Sequence, residues 1–221
     1  MTMSEERPPA ALLRSVAGDL RPVRPLRPPA WRALGLLPLG LLLIVGTPAF
    51  WGWRINFDEL GPVMAWGLSA LEALAGLVVV GIALREAIPG REFTGRTVAA
   101  TAGAAAVGFT GITLLTALVA PMSVPPGVWW RWNWECLAMA ALPGAPALAA
   151  TAWLASRALP TRPAVAGALY GLGAGLMADA GVRLFCWVSA PSHVLVSHGL
   201  ALAVLVLLGA ATASVVERLK R

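Results

Sequence analysis

Six long apolar stretches dominate this sequence, and each is long enough to cross a lipid bilayer as a helix. They lie at about 33–51, 62–84, 97–120, 136–156, 164–186 and 194–215. A membrane-spanning helix needs about 20 mainly apolar residues, and it satisfies its own backbone polar groups. Only 13% of the 221 residues are charged, which is too few to cover a soluble domain of this size. The expected fold class is therefore all-α, a polytopic bundle of six transmembrane helices.

The ends of these stretches give the expected domain organisation. Residues 1–32 form a short cytoplasmic N-terminal segment, residues 33–216 the transmembrane domain, and residues 217–221 a cytoplasmic basic tail. The first apolar run begins only at Ala33 and is too long for a cleaved secretory signal. We therefore expect the first span to remain in the mature protein.

Basic residues fall mainly in alternate loops, which predicts the orientation of the bundle. With the N-terminus inside, 14 of the 17 lysines and arginines lie on the cytoplasmic side, and three (Arg54, Arg131 and Arg183) lie on the other. Cytoplasmic loops of membrane proteins carry such an excess. The distribution predicts that both termini are cytoplasmic. It also explains the net charge of +6 without any direct nucleic-acid partner. Most tryptophans lie at the predicted outer ends, as in an aromatic belt at headgroup level.

The N-terminal segment contains one short amphipathic pattern. Apolar residues recur on one face of a helix that the prolines from Pro22 onward would end; they are Leu12, Leu13, Val16 and Leu20. Two interpretations remain open: the segment lies on anionic lipid headgroups through its arginines, or the apolar stripe docks a cytosolic partner. Composition alone favours the lipid interpretation.

Three ionisable residues lie inside the predicted spans. A carboxylate near the middle of the second span, Glu72, should face the bundle interior, be protonated or pair, with Arg183 and polar groups of neighbouring helices as its expected partners. Asp179 and Arg183 are four residues apart on the fifth span and can form an ion pair on one helix face. A proton or ion pathway and a structural polar contact are both compatible with this pattern.

Two cysteines and two histidines gather at the predicted outer face. Cys136 and Cys186 lie at the outer ends of spans four and five, and His193 and His198 begin span six. Two thiols on the oxidising side can form a disulfide if their Cα atoms come within about 7 Å, and a thiolate–imidazole set suits soft or borderline metals. The spacings match no tight metal motif, so we expect packing residues rather than a metal site.

No pattern of residues points to an enzyme. The sequence lacks a nucleophile elbow, a phosphate-binding loop, a dinucleotide fingerprint and a zinc-protease motif. We therefore expect no catalytic residues and no cofactor. A small ion- or proton-coupled transporter or channel that uses Glu72 and Asp179 is the alternative to a regulatory protein. The glycines from Gly167 to Gly175 predict a close-packed helix face, either internal or dimeric.

The ordered motifs resemble the NrsF/DUF1109 family of membrane-bound anti-sigma factors, and within it the CarR-type repressors of light-induced carotenoid synthesis. The resemblance is carried by "LLRSVAGDLRPVRPLRPP" at 12–29, Glu72 with "IPGR" at 88–91, "CLAMAALPGAPALAATAWLASRALPTRPAVAG" at 136–167, and Cys186 followed by His193 and His198-Gly199. The chain departs from the family at Cys186-Trp187, where members often have Cys-Pro. It departs again at Ser197, where members often have an aromatic.

The resemblance implies a function for three sets of residues. The N-terminal segment would hold an extracytoplasmic-function sigma factor at the bacterial inner membrane, and a stimulus such as light-derived oxidant, thiol stress or metal stress would release it. The implied sigma-binding residues are Leu12, Leu13, Val16, Leu20, Pro22 and Val23. The implied sensing residues are Cys136, Cys186, His193 and His198, and the intramembrane polar residues are Glu72, Asp179 and Arg183.

Overall fold

The computed structural model describes residues 9–19, 25–125 and 127–220, and within these ranges the only regular structure is helical. The helices in chain order are α1 (Ala10–Asp19), α2 (Pro29–Leu34), α3 (Leu37–Trp51), α4 (Phe57–Leu60), α5 (Pro62–Glu86), α6 (Gly95–Val119), α7 (Trp129–Ala155), α8 (Pro163–Phe185) and α9 (Pro191–Leu219). In the described part of the chain, α2 with α3 and each of α5 to α9 make six spans long and apolar enough to cross a membrane. The prediction of an all-α, six-helix multi-pass membrane protein is confirmed.

Helix starts follow simple local rules. Prolines occupy the first turn of α2, α5, α8 and α9, where their missing N–H breaks no helical hydrogen bond. At α6, the Thr94 hydroxyl accepts a hydrogen bond from the Thr97 backbone N–H at 3.2 Å. The first span begins at Pro29, four residues before the apolar run. Its helix is interrupted at Gly35 and Leu36, between α2 and α3.

Helix α8 is the centre of the bundle and is buried along nearly its whole length, from Ala166 to Leu184. Helices α3, α5, α7 and α9 all pack against it. The sequence prediction of a span here holds although the helix contains Asp179 and Arg183, because both side chains point into protein rather than toward lipid. A membrane helix that is surrounded by other helices can carry charged residues, because those residues face protein and not the hydrocarbon layer.

Glycines allow the helices around α8 to approach closely. Gly167 faces the Gly209 backbone of α9, and Gly171 faces the backbone of Leu205, leaving no room for a side chain. On another face, Gly173 lies against Gly76 and Val80 of α5. Of the two possibilities left open by the sequence, the glycine face at 167–175 is therefore used inside the bundle.

Successive spans alternate in direction, so the bundle has two distinct ends. Along α5 and α8, Glu72 meets Arg183 while Glu86 meets Arg162, which is an antiparallel arrangement. The end that holds the start of α2 is called the N-terminal end below. The cysteines, at the start of α7 and after α8, lie at the opposite end.

Candidate functional site

The two thiols and one histidine meet at the end of the bundle opposite the N-terminal segment. The Sγ atoms of Cys136 and Cys186 are 3.8 Å apart, and the Cys186 Sγ is 3.6 Å from His193 Nε2. All three side chains are buried, and their ligand atoms lie within 4.8 Å of one another. We call these three residues the thiol cluster. Three helix ends build it, since Cys186 caps α8 with its N–H bonded to the Val182 carbonyl at 2.7 Å.

The thiol cluster has the geometry for two kinds of chemistry. Both cysteines are free, and their sulfur separation exceeds the disulfide bond length of about 2.05 Å by a distance that small side-chain movements can close. Two thiolates and one imidazole also form a ligand set suited to zinc and softer ions. The sequence spacings gave no metal motif because the three ligands come from three different helix ends.

A chain of hydrogen bonds fixes the orientation of His193. Its Nδ1 is 3.5 Å from the Ser197 hydroxyl, which donates to Asn133 Oδ1 at 2.6 Å. The Asn133 amide in turn donates to the Trp129 carbonyl at 2.7 Å. Because the single proton of the Ser197 hydroxyl points to Asn133, the hydroxyl can only accept from His193 Nδ1–H. The lone pair of Nε2 then faces Cys186, ready to accept from the thiol or bind a metal.

A second buried cluster lies deeper in the bundle. It contains four ionisable side chains, Glu72, Asp179, Arg183 and His198, which we call the charge cluster. Arg183 Nε is 2.5 Å from Glu72 Oε2 and 3.0 Å from Asp179 Oδ2, so the ion pair expected at i, i+4 is present. Asp179 Oδ1 is also 2.5 Å from His198 Nδ1. Arg183 donates to the Thr113 hydroxyl at 3.2 Å. One arginine thus serves two carboxylates from different helices.

His198 lies next to the thiol cluster, with its ring centroid 6.0 Å from that of His193, but its hydrogen bond is to the charge cluster. Its Nδ1 is on Asp179, and its Nε2 has no hydrogen-bond partner among the described residues. A cavity of about 20 Å³, room for about one water molecule, is lined by His198, Arg183 and Cys186 together with Arg54. His198 therefore belongs to the charge cluster and adjoins the thiol cluster across this cavity.

Arg54 is a buried residue that sequence reasoning counted only as an outer positive charge. Its backbone N–H donates to the Leu184 carbonyl at 3.0 Å, and its guanidinium donates to the Arg183 carbonyl at 3.3 Å and to Asn56 Oδ1 at 2.8 Å. Desolvation lowers the pKa of Arg54 from its usual value, though a guanidinium stays charged at neutral pH. The residue satisfies carbonyls at the end of α8, next to Cys186. Nothing in its sequence context separates it from an exposed interfacial arginine.

A third polar group, also missed by sequence reasoning, joins two loops at the N-terminal end. The buried Glu86 carboxylate is 2.5 Å from Arg162 Nη2 and accepts from the Phe93 N–H at 2.8 Å. Beside it, Thr161 donates to Glu92 at 2.8 Å, and hydrogen bonds from the backbone and from Thr161 lower the pKa of Glu92. These contacts hold the α5–α6 loop against the α7–α8 loop. The partners are far apart in sequence, so no local sequence pattern predicts these contacts.

The apolar stripe of the N-terminal segment is accessible in the structure. Leu12, Leu13 and Val16 lie on α1 and are each more than half exposed. Leu20, Pro22 and Val23 fall outside the described residues. The described part of the stripe is thus a free apolar surface on a short helix.

A family model described as "NrsF: Negative regulator of sigma F" matches residues 16–218. The chain belongs to the NrsF family. The match runs from the middle of α1 to the last turn of α9, so it includes all six spans and both buried clusters. Neither the curated proteins nor the solved structures contain a significant match to the chain. As an NrsF protein, the chain is a negative regulator of a sigma factor, and its partner is a sigma factor.

Proposed function

We propose that this NrsF protein is an anti-sigma factor that sequesters an extracytoplasmic-function sigma factor at the bacterial inner membrane and releases it on a stimulus. The observation that carries the proposal is the exposed stripe Leu12, Leu13 and Val16 on a helix tethered to a six-span bundle of the NrsF family. A short amphipathic helix is a common way to occupy an apolar groove on a partner. Held there, the sigma factor cannot reach RNA polymerase.

The proposed docking segment is residues 1–32, on the cytoplasmic side with the basic tail at 217–221. The 14-to-3 distribution of lysine and arginine supports this orientation. The proposed docking residues also include Leu20, Pro22 and Val23, which lie outside the described residues. The same orientation exposes the thiol end of the bundle to the oxidising compartment.

The proposed sensor is the thiol cluster, with His198 behind it. An oxidant such as a peroxide would take two electrons and two protons from Cys136 and Cys186, forming one S–S bond while the peroxide is reduced to water. A thiol-binding metal would instead displace the two thiol protons and take His193 as a third ligand. Either event draws the start of α7 toward the end of α8.

The proposed link from sensor to effector is helix α8. Cys186 directly follows its C-terminal end, Asp179 and Arg183 of the charge cluster lie in its last two turns, and α3, α5, α7 and α9 pack along its length. A ligand or a covalent change shifts an equilibrium between two conformations only if its interaction free energy differs between them. Movement of Cys186 would supply such a difference, since Arg54 ties the end of α8 to the α3–α4 loop. Proteolysis of the released segment would be a second route to the same output.

The resemblance to CarR-type repressors supports light-induced carotenoid synthesis as the regulated output. Expression of carotenoid genes in cells that lack this protein, compared in light and dark, tests that part alone. Constitutive expression in the dark is the expected result.

The rival function, a small transporter or channel using Glu72 and Asp179, has less support. Both carboxylates are bound to Arg183, and the adjoining cavity holds about one water molecule. Ion or proton flux in reconstituted vesicles that is lost in Glu72→Gln would favour the rival.

The deciding experiment is capture of the full-length protein, solubilised in detergent, from unstimulated cells, with sigma factors identified by mass spectrometry. Leu13→Asp should lose the sigma factor because a buried charge would replace the apolar contact. The matched control is Ala11→Asp, since Ala11 lies on the opposite side of the same helix. Recovery of no sigma factor with the unaltered protein, or equal recovery with both variants, contradicts the proposed docking surface.

A further inference from the structure

An open groove lies on the side of the bundle at its N-terminal end. It has a volume of about 1030 Å³ and lies between α2 and α5, with residues of the α5–α6 loop lining its mouth. Leu74, Leu77 and Val78 of α5 and Ala33 of α2 line its apolar part. Gly81 deepens it, because a side chain there would project toward Ala33.

The mouth of the groove carries two arginines without carboxylate partners. Arg85 and Arg91 line it, both are exposed, and neither forms an ion pair with any residue in 9–19, 25–125 or 127–220. Arg85 is held in place by stacking over the Phe93 ring at 4.5 Å. Glu92 also lines the mouth, but its Oε1 accepts hydrogen bonds from Gly90 N–H and the Thr161 hydroxyl and it forms no ion pair with either arginine, so the mouth keeps an excess of positive charge.

The length of the groove matches one lipid leaflet. From Arg85 to Leu74 the α5 helix rises about 16 Å. Half the hydrocarbon thickness of a bilayer is about 15 Å. The groove therefore has cationic groups at headgroup level and an apolar wall that ends near the bilayer midplane.

We propose that this groove binds one anionic phospholipid, with the phosphate between Arg85 and Arg91 and an acyl chain along Ala33, Leu77 and Gly81. Basic pockets between membrane helices recognise anionic headgroups in this way. The protein's own α1 is a poorer occupant, because docking there would carry Arg14 and Asp19 into the hydrocarbon layer. The proposal is independent of sigma-factor binding.

Native mass spectrometry of the delipidated full-length protein, given phosphatidylglycerol or phosphatidylcholine, tests the proposal. We expect about tenfold or greater preference for phosphatidylglycerol, given the contribution of about 1 kcal/mol per basic residue near an anionic lipid surface. The double variant Arg85→Gln, Arg91→Gln should lose that preference. Arg96→Gln, an exposed arginine at the same end that does not line the groove, should keep it.

A second variant tests the apolar wall. Gly81→Leu fills the groove and should lower retention of both lipids at least fivefold while the thermal unfolding midpoint stays near that of the unaltered protein. Equal retention of the two lipids, or an unchanged preference in the double variant, overturns the proposal. Displacement of phosphatidylglycerol by inorganic phosphate would overturn it in favour of a free-anion site. Greater lipid uptake by the Leu12→Asp, Leu13→Asp variant would show that α1 is the occupant.

Discussion

The sulfur atoms of Cys136 and Cys186 lie 3.8 Å apart although 50 residues separate them in the chain. One is near the start of α7 and the other directly follows α8, so their approach depends on the packing of two antiparallel spans. A disulfide or a bound metal at this point would change the relative position of those helices. This geometry makes the thiol cluster the best-placed candidate sensor among the described residues.

Oxidation should join the two cysteines directly. After treatment with diamide and then unfolding in SDS to expose the buried thiols, the unaltered protein should take up no maleimide reagent, whereas the reduced, unfolded protein should take up two equivalents. The readout is unambiguous because the chain has only two cysteines. Cys136→Ser and Cys186→Ser should each retain the captured sigma factor under oxidant, provided circular dichroism shows an intact helical fold. Release of the sigma factor from both variants at the normal oxidant concentration would exclude the disulfide as the trigger.

Ser197 should tune metal affinity at the thiol cluster without being a ligand. Removing its hydroxyl in Ser197→Ala frees His193 Nδ1 from the partner that orients the ring. Loss of such a supporting hydrogen bond typically lowers metal affinity about 10- to 100-fold. Competition with a chelator, using Zn²⁺ as the probe, measures the change. Ser192→Ala alters an exposed serine on the same helix and should leave affinity unchanged; equal values for the two variants would contradict the role of Ser197.

The sequence predicts the spans well because hydropathy depends on local composition. It also places Asp179 and Arg183 on one face, since i, i+4 spacing is a property of a single helix. Contacts between helices are harder to predict from the sequence, because they join residues that are far apart in the chain. Glu72 could be named as a partner for Arg183 because few groups inside a membrane can pair, but the Asp179–His198 bond and the Glu86–Arg162 bond have no local signature. The ordered motifs predicted the NrsF family, which is confirmed, while the CarR-type subgroup stays a prediction; no pattern predicted the position of Arg54 in the core.

The close contact between α8 and α9 should make Gly171 intolerant of any side chain. In Gly171→Ala the added methyl group would meet the backbone of Leu205, so the two helices must separate. We expect a loss of about 1–3 kcal/mol in the free energy of unfolding, as for overpacking of a well-packed core. Gly103→Ala on α6 is the control, because nothing lies within 4 Å of its added atom. Replacing a helical glycine there should be neutral or slightly stabilising. Unfolding in mixed detergent micelles gives both values, and a neutral Gly171→Ala would refute the packing.

Arg183 should matter more to stability than either of its carboxylate partners. Arg183→Met leaves Glu72 buried without an ion-pair partner and Asp179 with His198 alone, and breaking a buried pair in this way costs about 3–5 kcal/mol. Glu72→Gln keeps a hydrogen-bond acceptor and leaves Arg183 paired with Asp179, so its cost should be smaller. The double variant should recover part of the loss, because one unpaired carboxylate is then removed. The control is Arg131→Met, which breaks an exposed i, i+4 pair with Glu135 and should cost less than about 1 kcal/mol. Chemical unfolding of all four variants in micelles measures these differences; similar losses for Arg183→Met and Arg131→Met would mean that the charge cluster does not hold α5 to α8.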